Sequence, residues 1–173
     1  MPKHHKHQPF THYGEYDQIE HLVRDVLLIP EIEWERFTYR QKNIVGHTHT
    51  RTIPLLFDPV RLSRPKTHKH YGAFEHYLTE ISLQLDMVVK RANLVKLLAQ
   101  SEILPHYDKG DFLKSTRRIH LPITTNEHCT FMVGGEEKHL QVGHLWEINN
   151  TGMEHSVHNR GDTHRIHLII DVR

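Results

Sequence analysis

Two histidines and one aspartate form the pattern in this sequence that most clearly indicates chemistry. In the segment Pro105-His-Tyr-Asp108, one residue separates His106 from Asp108, so both side chains leave an extended strand from the same face. A second imidazole, His155, follows much later in the chain. Two imidazoles and one carboxylate on one side of a metal ion are the facial arrangement that binds non-haem iron(II) and leaves coordination positions open. These residues predict a metal site at which further ligands can bind.

An arginine after this pattern adds a group that binds anions. Arg165 opens the last apolar strand, and its guanidinium suits two parallel hydrogen bonds to a carboxylate. Because the sequence has 19 histidines, a His-x-Asp pair alone is weak evidence, and the order of all four residues carries the prediction. Two other residues could be considered as metal ligands in place of Asp108 and His155, but they are less suitable. Asp111 lacks the same-face spacing, and His158 lies on the strand face opposite that of His155.

The composition is that of one globular domain. With 173 residues, 37% hydrophobic and 25% charged, the chain is long enough for one substantial core and short for two. The net charge of +1, with scattered Lys and Arg, argues against nucleic-acid or membrane partners. The single cysteine, Cys129, excludes an internal disulfide, and no apolar run is long enough to span a membrane. With polar first residues in place of a signal peptide, these features predict a cytoplasmic protein.

The first half of the chain predicts two helices around one strand. Residues 1–14, rich in histidine, are expected to form a flexible N-terminus. Residues 16–28 and 72–89 have apolar side chains at helical spacing. Residues 44–57 predict a strand that Pro54 confines to an edge or a bulge. If it is one strand, one face holds a row that either binds an anionic group or is solvated: Val45, His47, His49 and Arg51.

The second half predicts a β-sandwich. Short apolar runs separated by turn signals predict strands at residues 94–98, 118–123, 129–133, 138–142, 145–148, 156–158 and 165–172. Gly134-Gly135 predicts a hairpin turn. We expect a mainly β protein, with a double-stranded β-helix (jelly roll) core at about 91–173 and the N-terminal helices packed against one sheet. Residues 15–173 are expected to form a single domain.

Residues from about 91 to 173 resemble the aspartyl/asparaginyl β-hydroxylase family of iron(II)/2-oxoglutarate-dependent dioxygenases. The resemblance covers roughly half of the chain, and its motifs occur in the family's order. They are Ile103-Leu-Pro-His-Tyr-Asp108, Arg117-Arg-Ile-His-Leu-Pro122, Val142-Gly-His-Leu-Trp-Glu-Ile148, His155-Ser-Val-His-Asn159 and Arg165-Ile-His-Leu-Ile-Ile-Asp-Val172. This ordered set is more specific than any one of its members.

The resemblance implies a jelly-roll hydroxylase that couples decarboxylation of 2-oxoglutarate to succinate with hydroxylation of a C–H bond by dioxygen. It implies iron(II) ligation by His106 and His155, with Asp108 completing the triad. It also implies that Arg165 grips the distal carboxylate of 2-oxoglutarate.

The resemblance further implies that Arg118 and His120 line the site near cosubstrate or substrate. A structural polar pair in the barrel interior is the alternative, but buried Arg and His need partners, which a dianionic cosubstrate supplies. His167 lies on the Arg165 face of its strand and either lines the same pocket or fills the barrel.

This sequence departs from the animal members of the family in three places. Those members lack a carboxylate at the position of Asp108, so the complete triad is similar to that of bacterial and phage members. The family's serine contact with the cosubstrate falls near Val95, which has no hydroxyl group. The loop of residues 109–116, which borders the predicted metal site, looks a few residues longer and bears on substrate choice.

Two other classes remain open from the residues alone. A cupin-type metal enzyme that does not use 2-oxoglutarate would not need Arg165 and would bind its metal through a third or fourth histidine. A non-catalytic β-sandwich binding protein would have no pocket between His106 and His155. The resemblance favours the hydroxylase, whose substrate would be an amino acid or an aspartyl, asparaginyl or prolyl side chain of a peptide or protein.

Overall fold

The computed structural model describes residues 8–38, 41–42, 46–58 and 65–173. The main helices are α1 (Ile19–Leu27), α2 (Glu31–Trp34), α3 (Tyr71–Leu85) and α4 (Asp111–Lys114). The strands are β1 (Phe10–Glu15), β2 (Thr50–Phe57), β3 (Lys66–Thr67), β4 (Val89–Leu97), β5 (Ser101–His106), β6 (Arg117–Thr124), β7 (Cys129–Val133), β8 (Glu136–Lys138), β9 (His144–Ile148), β10 (His155–Asn159) and β11 (Arg165–Val172).

The strands form two antiparallel sheets that face each other. The larger sheet has the order β1-β9-β6-β11-β4-β2-β3, and the smaller sheet has the order β5-β10-β7-β8. Between them lies an apolar cluster from both sheets, which includes Leu97 and Ile148 of the larger sheet and Phe131 and Val157 of the smaller one. The predicted jelly-roll fold is confirmed.

The helices α1, α2 and α3 cover the outer face of the larger sheet. A second apolar cluster joins Leu22 of α1, Trp34 of α2 and Ile81 of α3 to Leu55 of β2 and Ile119 of β6. Because this sheet is covered on both faces, its central strand β11 is buried at every position, and five of its eight residues are apolar. The predicted packing of helices against one sheet is therefore also confirmed.

Alternation along the central strands divides their side chains between the helical layer and the barrel interior. On β6, Ile119 and Leu121 join the helix-side core, whereas Arg118 and His120 face inward. The same alternation on β11 directs four side chains inward: Arg165, His167, Ile169 and Asp171.

Both predicted helices form, with shorter bounds than the apolar pattern indicates. The second ends at Leu85 because Asp86 adopts a left-handed conformation with φ 51°. Val88, expected to extend the apolar stripe, lies beyond the helix and is exposed. None of the helices in the described ranges is long and apolar enough to cross a membrane.

The strand predictions succeed best in the second half of the chain. β7 and β11 have the predicted bounds, and Gly134-Gly135, both at positive φ, connects β7 to β8 as a hairpin. The expected strand at 138–142 is wrong, since β8 ends at Lys138. The pairing of β2 with β4 shifts register between Pro54 and Leu56, which confirms the predicted bulge.

Two expectations for the first half are corrected. The described part of the supposedly flexible segment 1–14 includes most of β1, which pairs with β9; residues 1–7 lie outside the described ranges. The strand expected at 44–57 begins only at Thr50, because Thr50 closes a turn by donating its backbone N–H and its hydroxyl to the carbonyl oxygen of His47. The basic row on one strand face therefore does not form, and Val45 lies outside the described ranges.

Candidate active site

His106, Asp108 and His155 converge, as the sequence predicts. One potential ligand atom from each lies within 4.8 Å of the others. The two imidazole ring centroids are 4.2 Å apart, and His106 Nε2 is 3.7 Å from Asp108 Oδ1. Among the described residues this is the one cluster of three or more His, Cys, Asp or Glu side chains suited to a metal ion. We call it the candidate triad.

The ends of two paired strands and the loop after one of them position the candidate triad. His106 is the last residue of β5 and lies directly opposite His155, the first residue of β10. Asp108 lies beyond the end of β5, so the expectation that it shares a strand face with His106 is wrong in detail. Its backbone N–H donates to the carbonyl oxygen of Asn150, 2.9 Å away, and this contact turns the carboxylate towards the imidazoles.

Backbone carbonyl groups orient both imidazoles. His106 Nδ1 is 2.7 Å from the carbonyl oxygen of Leu104, and His155 Nδ1 is 3.5 Å from that of Met153. A carbonyl oxygen accepts only, so each Nδ1 carries a proton, and the neutral tautomer that these contacts favour has its lone pair on Nε2. A lone pair on Nε2 is what a metal ion requires.

Electrostatics keep Asp108 anionic and His155 neutral. Burial raises the pKa of Asp108, but the positive charge of Arg118 and a 2.8 Å hydrogen bond from Asn150 Nδ2 hold that pKa well below its usual range. Burial and the neighbouring His106 lower the pKa of His155 to about 4. At neutral pH both groups are therefore in the protonation state that binds a metal ion.

Arg118 faces the barrel interior beside the candidate triad, but its guanidinium already has partners within the protein. It donates from Nη1 to Asp108 and from Nε to Asp171 Oδ1 at 2.9 Å, while Arg91 donates to Asp171 Oδ2 at 2.5 Å. Two guanidinium groups and two carboxylates thus form a balanced buried network. Arg118 does not need the cosubstrate as a partner, in contrast to the expectation from sequence, and its direct contact is with the triad carboxylate.

A narrow cavity connects the candidate triad to the interior of the barrel. Its apolar walls include Val95, Phe131 and Ile169, and its polar lining includes Arg165. Arg165 is 1% exposed, and its Nε and Nη1 groups have no hydrogen-bond partner within the described part of the chain. Its Cζ atom lies 5.3 Å from the centre of the Phe131 ring. Such a buried, unsatisfied guanidinium indicates an anionic ligand.

His120 lies beside Arg165 in the cavity and pairs with His167. The two Nδ1 atoms are 3.2 Å apart, so one ring donates and the other accepts. Burial and then the charge of Arg165 lower the pKa of both imidazoles well below the usual range, which keeps them neutral. His120 Nε2 is buried with no partner among the described residues, whereas the His167 ring stacks on Phe131.

Of the three basic residues expected on one strand face, one reaches the site. His47 lines the cavity and its ring lies 5.3 Å from that of His106. His49 is exposed, and Arg51 pairs with Glu35 at 2.8 Å. The rivals for the triad lie elsewhere: Asp111 begins α4 and is exposed, and His158 pairs with Glu102 at 3.1 Å.

Sequence reasoning missed two residues that complete the site. Asp171 is the one acidic residue in the apolar run of β11, and its spacing from Arg165 places both on one face, which was a usable signal. Asn150 gave no such signal, because Asn149-Asn150 is typical of an ordinary turn. The site also lacks a hydroxyl at Val95, which is a wall of the cavity, as expected.

Comparisons with known proteins agree with this geometry. The sequence model for the family described as aspartyl/asparaginyl beta-hydroxylase matches residues 3–173. An L-proline cis-4-hydroxylase from Rhizobium meliloti (strain 1021) is 25% identical over 148 residues, which is 80% of this chain and 47% of that protein. The chain therefore spans about half the length of that curated relative.

Solved structures with similar folds include two prolyl hydroxylases. A prolyl-4-hydroxylase from Pseudomonas putida superposes with a TM-score of 0.54 at 16% identity, over 96% of this chain and 93% of the other. The viral collagen prolyl hydroxylase from Paramecium bursaria Chlorella virus-1, in complex with 2-oxoglutarate, gives a TM-score of 0.55 at 9% identity, over 99% of each chain. At these identities the similarity establishes the fold.

Proposed function

Because the chain belongs to the aspartyl/asparaginyl β-hydroxylase family, we propose that it is an iron(II)- and 2-oxoglutarate-dependent hydroxylase of an amino acid. The observation that carries the proposal is one cavity with a His-Asp-His cluster at its mouth and an unpaired, buried guanidinium further inside. Neither the cupin-type alternative nor a non-catalytic sandwich explains both. A cupin-type site would need a further histidine ligand, and His47 is not part of the cluster.

We assign iron(II) to His106, Asp108 and His155, whose donor set suits it. Two imidazoles that would bind through Nε2 and one carboxylate match the preference of non-haem iron(II) and leave open positions. With 2-oxoglutarate and dioxygen, bound iron(II) supplies the oxidising chemistry: 2-oxoglutarate becomes succinate and carbon dioxide, and the substrate C–H bond becomes C–OH. The protein's own part is ligation, orientation and exclusion of water.

Arg165 and the apolar walls of the cavity orient the cosubstrate. The guanidinium would bind the distal carboxylate through its unpaired Nε and Nη1 groups, since a dry environment strengthens such charge-assisted bonds. Holding both ends of the cosubstrate fixes the direction of its 2-oxo acid group towards the mouth. His120 would donate to the same ligand from its unpaired Nε2. Val95, Phe131 and Ile169 keep water out of this region.

For the substrate we propose a small amino acid, free or as a residue of a peptide, and L-proline is the first candidate. The relative in Rhizobium meliloti is named an L-proline hydroxylase, which supports this choice. His47 meets the His106 ring edge to face at the mouth and would be placed to contact the substrate. We treat the residues from β1 onward as one oxygenase domain, which the family match over residues 3–173 supports.

An anaerobic titration with iron(II) and 2-oxoglutarate tests the proposal. The wild-type protein should give the visible absorption of a 2-oxo acid chelated to iron(II), and His155→Ala should lose it together with metal binding. His158→Ala is the matched control, because His158 lies on the same strand and pairs with Glu102 at the surface. Arg165→Met should retain the metal ion and lose about 100-fold in affinity for 2-oxoglutarate, since it removes two charge-assisted hydrogen bonds.

Succinate release with L-proline, other amino acids and short peptides then identifies the substrate. A wild-type protein that binds no 2-oxoglutarate in the presence of iron(II) would refute the proposed function. Equal affinity of wild type and Arg165→Met would refute the role of Arg165.

A further inference from the structure

One more polar side chain on the inner face of the larger sheet has no partner. Thr52 of β2 is 1% exposed, and its hydroxyl makes no hydrogen bond within the described part of the chain. A buried hydroxyl without a partner carries an uncompensated desolvation cost, so its presence calls for a ligand. Two residues that line the cavity have atoms in the same condition, namely His120 and Arg165.

Strand register places Thr52 beside the cavity. Thr52 is directly opposite Val95 of β4, and residues opposite each other in an antiparallel pair project from the same face. Val95 is opposite His167 of β11 and lines the cavity together with Arg165. Thr52, Val95 and His167 therefore form one row across the sheet, and Arg165 lies one pleat away on the inner face.

A second threonine on the same face, Thr50, has a hydrogen-bond partner within the protein. Thr50 faces inward in the adjacent row, opposite Leu97, and is fully buried. Its hydroxyl donates to the carbonyl oxygen of His47 at 2.8 Å. The two threonines are thus matched in strand, face and burial, and differ in whether the protein itself supplies a partner.

We propose that Thr52 is a second contact for the distal carboxylate of the cosubstrate, donating its hydroxyl while Arg165 supplies the charge. The inference rests on the proposed function, because that function places a carboxylate at Arg165. A carboxylate has more acceptor positions than one guanidinium fills, and a hydroxyl with no acceptor of its own is suited to the remainder. Thr52 thereby becomes a residue that selects a 2-oxo acid with a second, distal carboxylate.

Anaerobic binding to the iron(II)-loaded protein, followed by absorbance, tests the contact. Thr52→Val has nearly the same shape and removes the hydroxyl, whereas Thr52→Ser keeps it. We expect Thr52→Val to weaken 2-oxoglutarate binding about tenfold, the usual effect of losing one hydrogen bond to a charged group. Thr52→Ser should stay close to wild type. Pyruvate, a 2-oxo acid without the distal carboxylate, should bind Thr52→Val and wild type equally.

A second measurement uses the free protein and does not depend on activity. Without ligand, Thr52→Val should melt at the same temperature as wild type or higher, because the change removes an unsatisfied buried hydroxyl. Thr50→Val should melt at a lower temperature, because it breaks a hydrogen bond that exists. Saturating 2-oxoglutarate should raise the melting temperature of Thr52→Val less than that of wild type.

The outcomes separate the two proposals. If wild type binds 2-oxoglutarate and Thr52→Val binds it equally well, a buried water or a purely structural role satisfies Thr52, and this inference is wrong while the proposed function stands. Equal weakening of pyruvate and 2-oxoglutarate by Thr52→Val would also overturn it. If wild type binds no 2-oxoglutarate, the proposed function itself fails.

Discussion

The polar side chains at the two ends of the central cavity differ in their hydrogen bonding. The mouth holds the candidate triad, and the deep end holds His120 and Arg165. At the mouth, Asp108 accepts hydrogen bonds from Arg118 and Asn150, and His106 is held by the carbonyl of Leu104. At the deep end, the atoms that face the cavity from His120 and Arg165 have no partner among the described residues. Both groups line one cavity, yet only the first is satisfied by the protein itself.

This difference assigns different tasks to the two ends. The mouth is organised by the protein before any ligand binds, so a metal ion would meet ligands already in position. At the deep end the buried groups lack hydrogen-bond partners, which destabilises the free protein. An anionic ligand supplies those partners, so the deep end should bind such a ligand tightly and selectively. Substitutions at the mouth should therefore lower stability and metal affinity, whereas substitutions at the deep end should lower cosubstrate affinity alone.

Arg118→Met should have the largest effect on folding. It leaves the carboxylates of Asp108 and Asp171 short of a partner in a buried network, which costs about 3–5 kcal/mol of the free energy of unfolding. Urea unfolding of the free protein measures this change. Arg91→Met is the control, because Arg91 also pairs with Asp171 but is 25% exposed and forms no hydrogen bond with Asp108. An equal loss from both variants would contradict the distinct role of Arg118.

Arg165→Met should have the opposite sign in the same experiment. Because it removes two buried nitrogen atoms without hydrogen-bond partners, the free protein should lose no stability and should gain up to about 3 kcal/mol. Its cation–π contact with Phe131 is a smaller, opposing contribution. A loss as large as that of Arg118→Met would show that the two ends do not differ as described.

Asn150→Ala should weaken metal binding about 10- to 100-fold, the usual effect of removing a group that orients a ligand. The side-chain amide bonds Asp108 Oδ2 at 2.8 Å, and the backbone carbonyl of Asn150, which also holds Asp108, stays in place. Calorimetric titration with iron(II) or manganese(II) measures the change. Thr151→Ala, in the same loop, is the control, and equal affinities for the two variants would rule out this role of Asn150.

His167→Phe should have the smallest effect, at the deep end. The Phe ring can keep the stacking on Phe131, but His120 loses the partner that fixes which of its nitrogens carries the proton. Affinity for 2-oxoglutarate should fall about 3- to 10-fold, as for one neutral hydrogen bond. Metal affinity measured on the same sample should not change. A parallel loss of metal affinity would place His167 in the framework of the mouth instead.

The sequence predicts the centre of this fold better than its edges. β7 and β11 lie inside their sheets, and their packed faces require the short, largely apolar runs from which both were predicted. β1 and β5 lie at sheet edges, bury fewer side chains and carry weak alternation; Gly14 lies within β1 and Pro105 within β5. For that reason neither strand is among those predicted from apolar runs, although the segment that ends β5 was expected to be extended around His106.

In the site, residues could be predicted from the sequence, whereas contacts between distant segments could not. His106, Asp108, His155 and Arg165 could be predicted because residue type, spacing and order are properties of the sequence. The pairing of Arg118 with Asp108 and Asp171 could not, because it joins three separate segments whose distances only the folded chain determines. For the same reason, no local pattern shows that Thr52 lacks a partner while Thr50 has one.

The direct pairing of His106 with His155 also has a mechanical consequence. These imidazoles belong to an edge strand and to its one neighbour in the smaller sheet, so a cation between them would act as a cross-link. Opening of that edge and release of the ion then become a single linked equilibrium. A chelator should accordingly speed amide hydrogen exchange in Ser101–His106 while the middle of Arg165–Val172 stays protected.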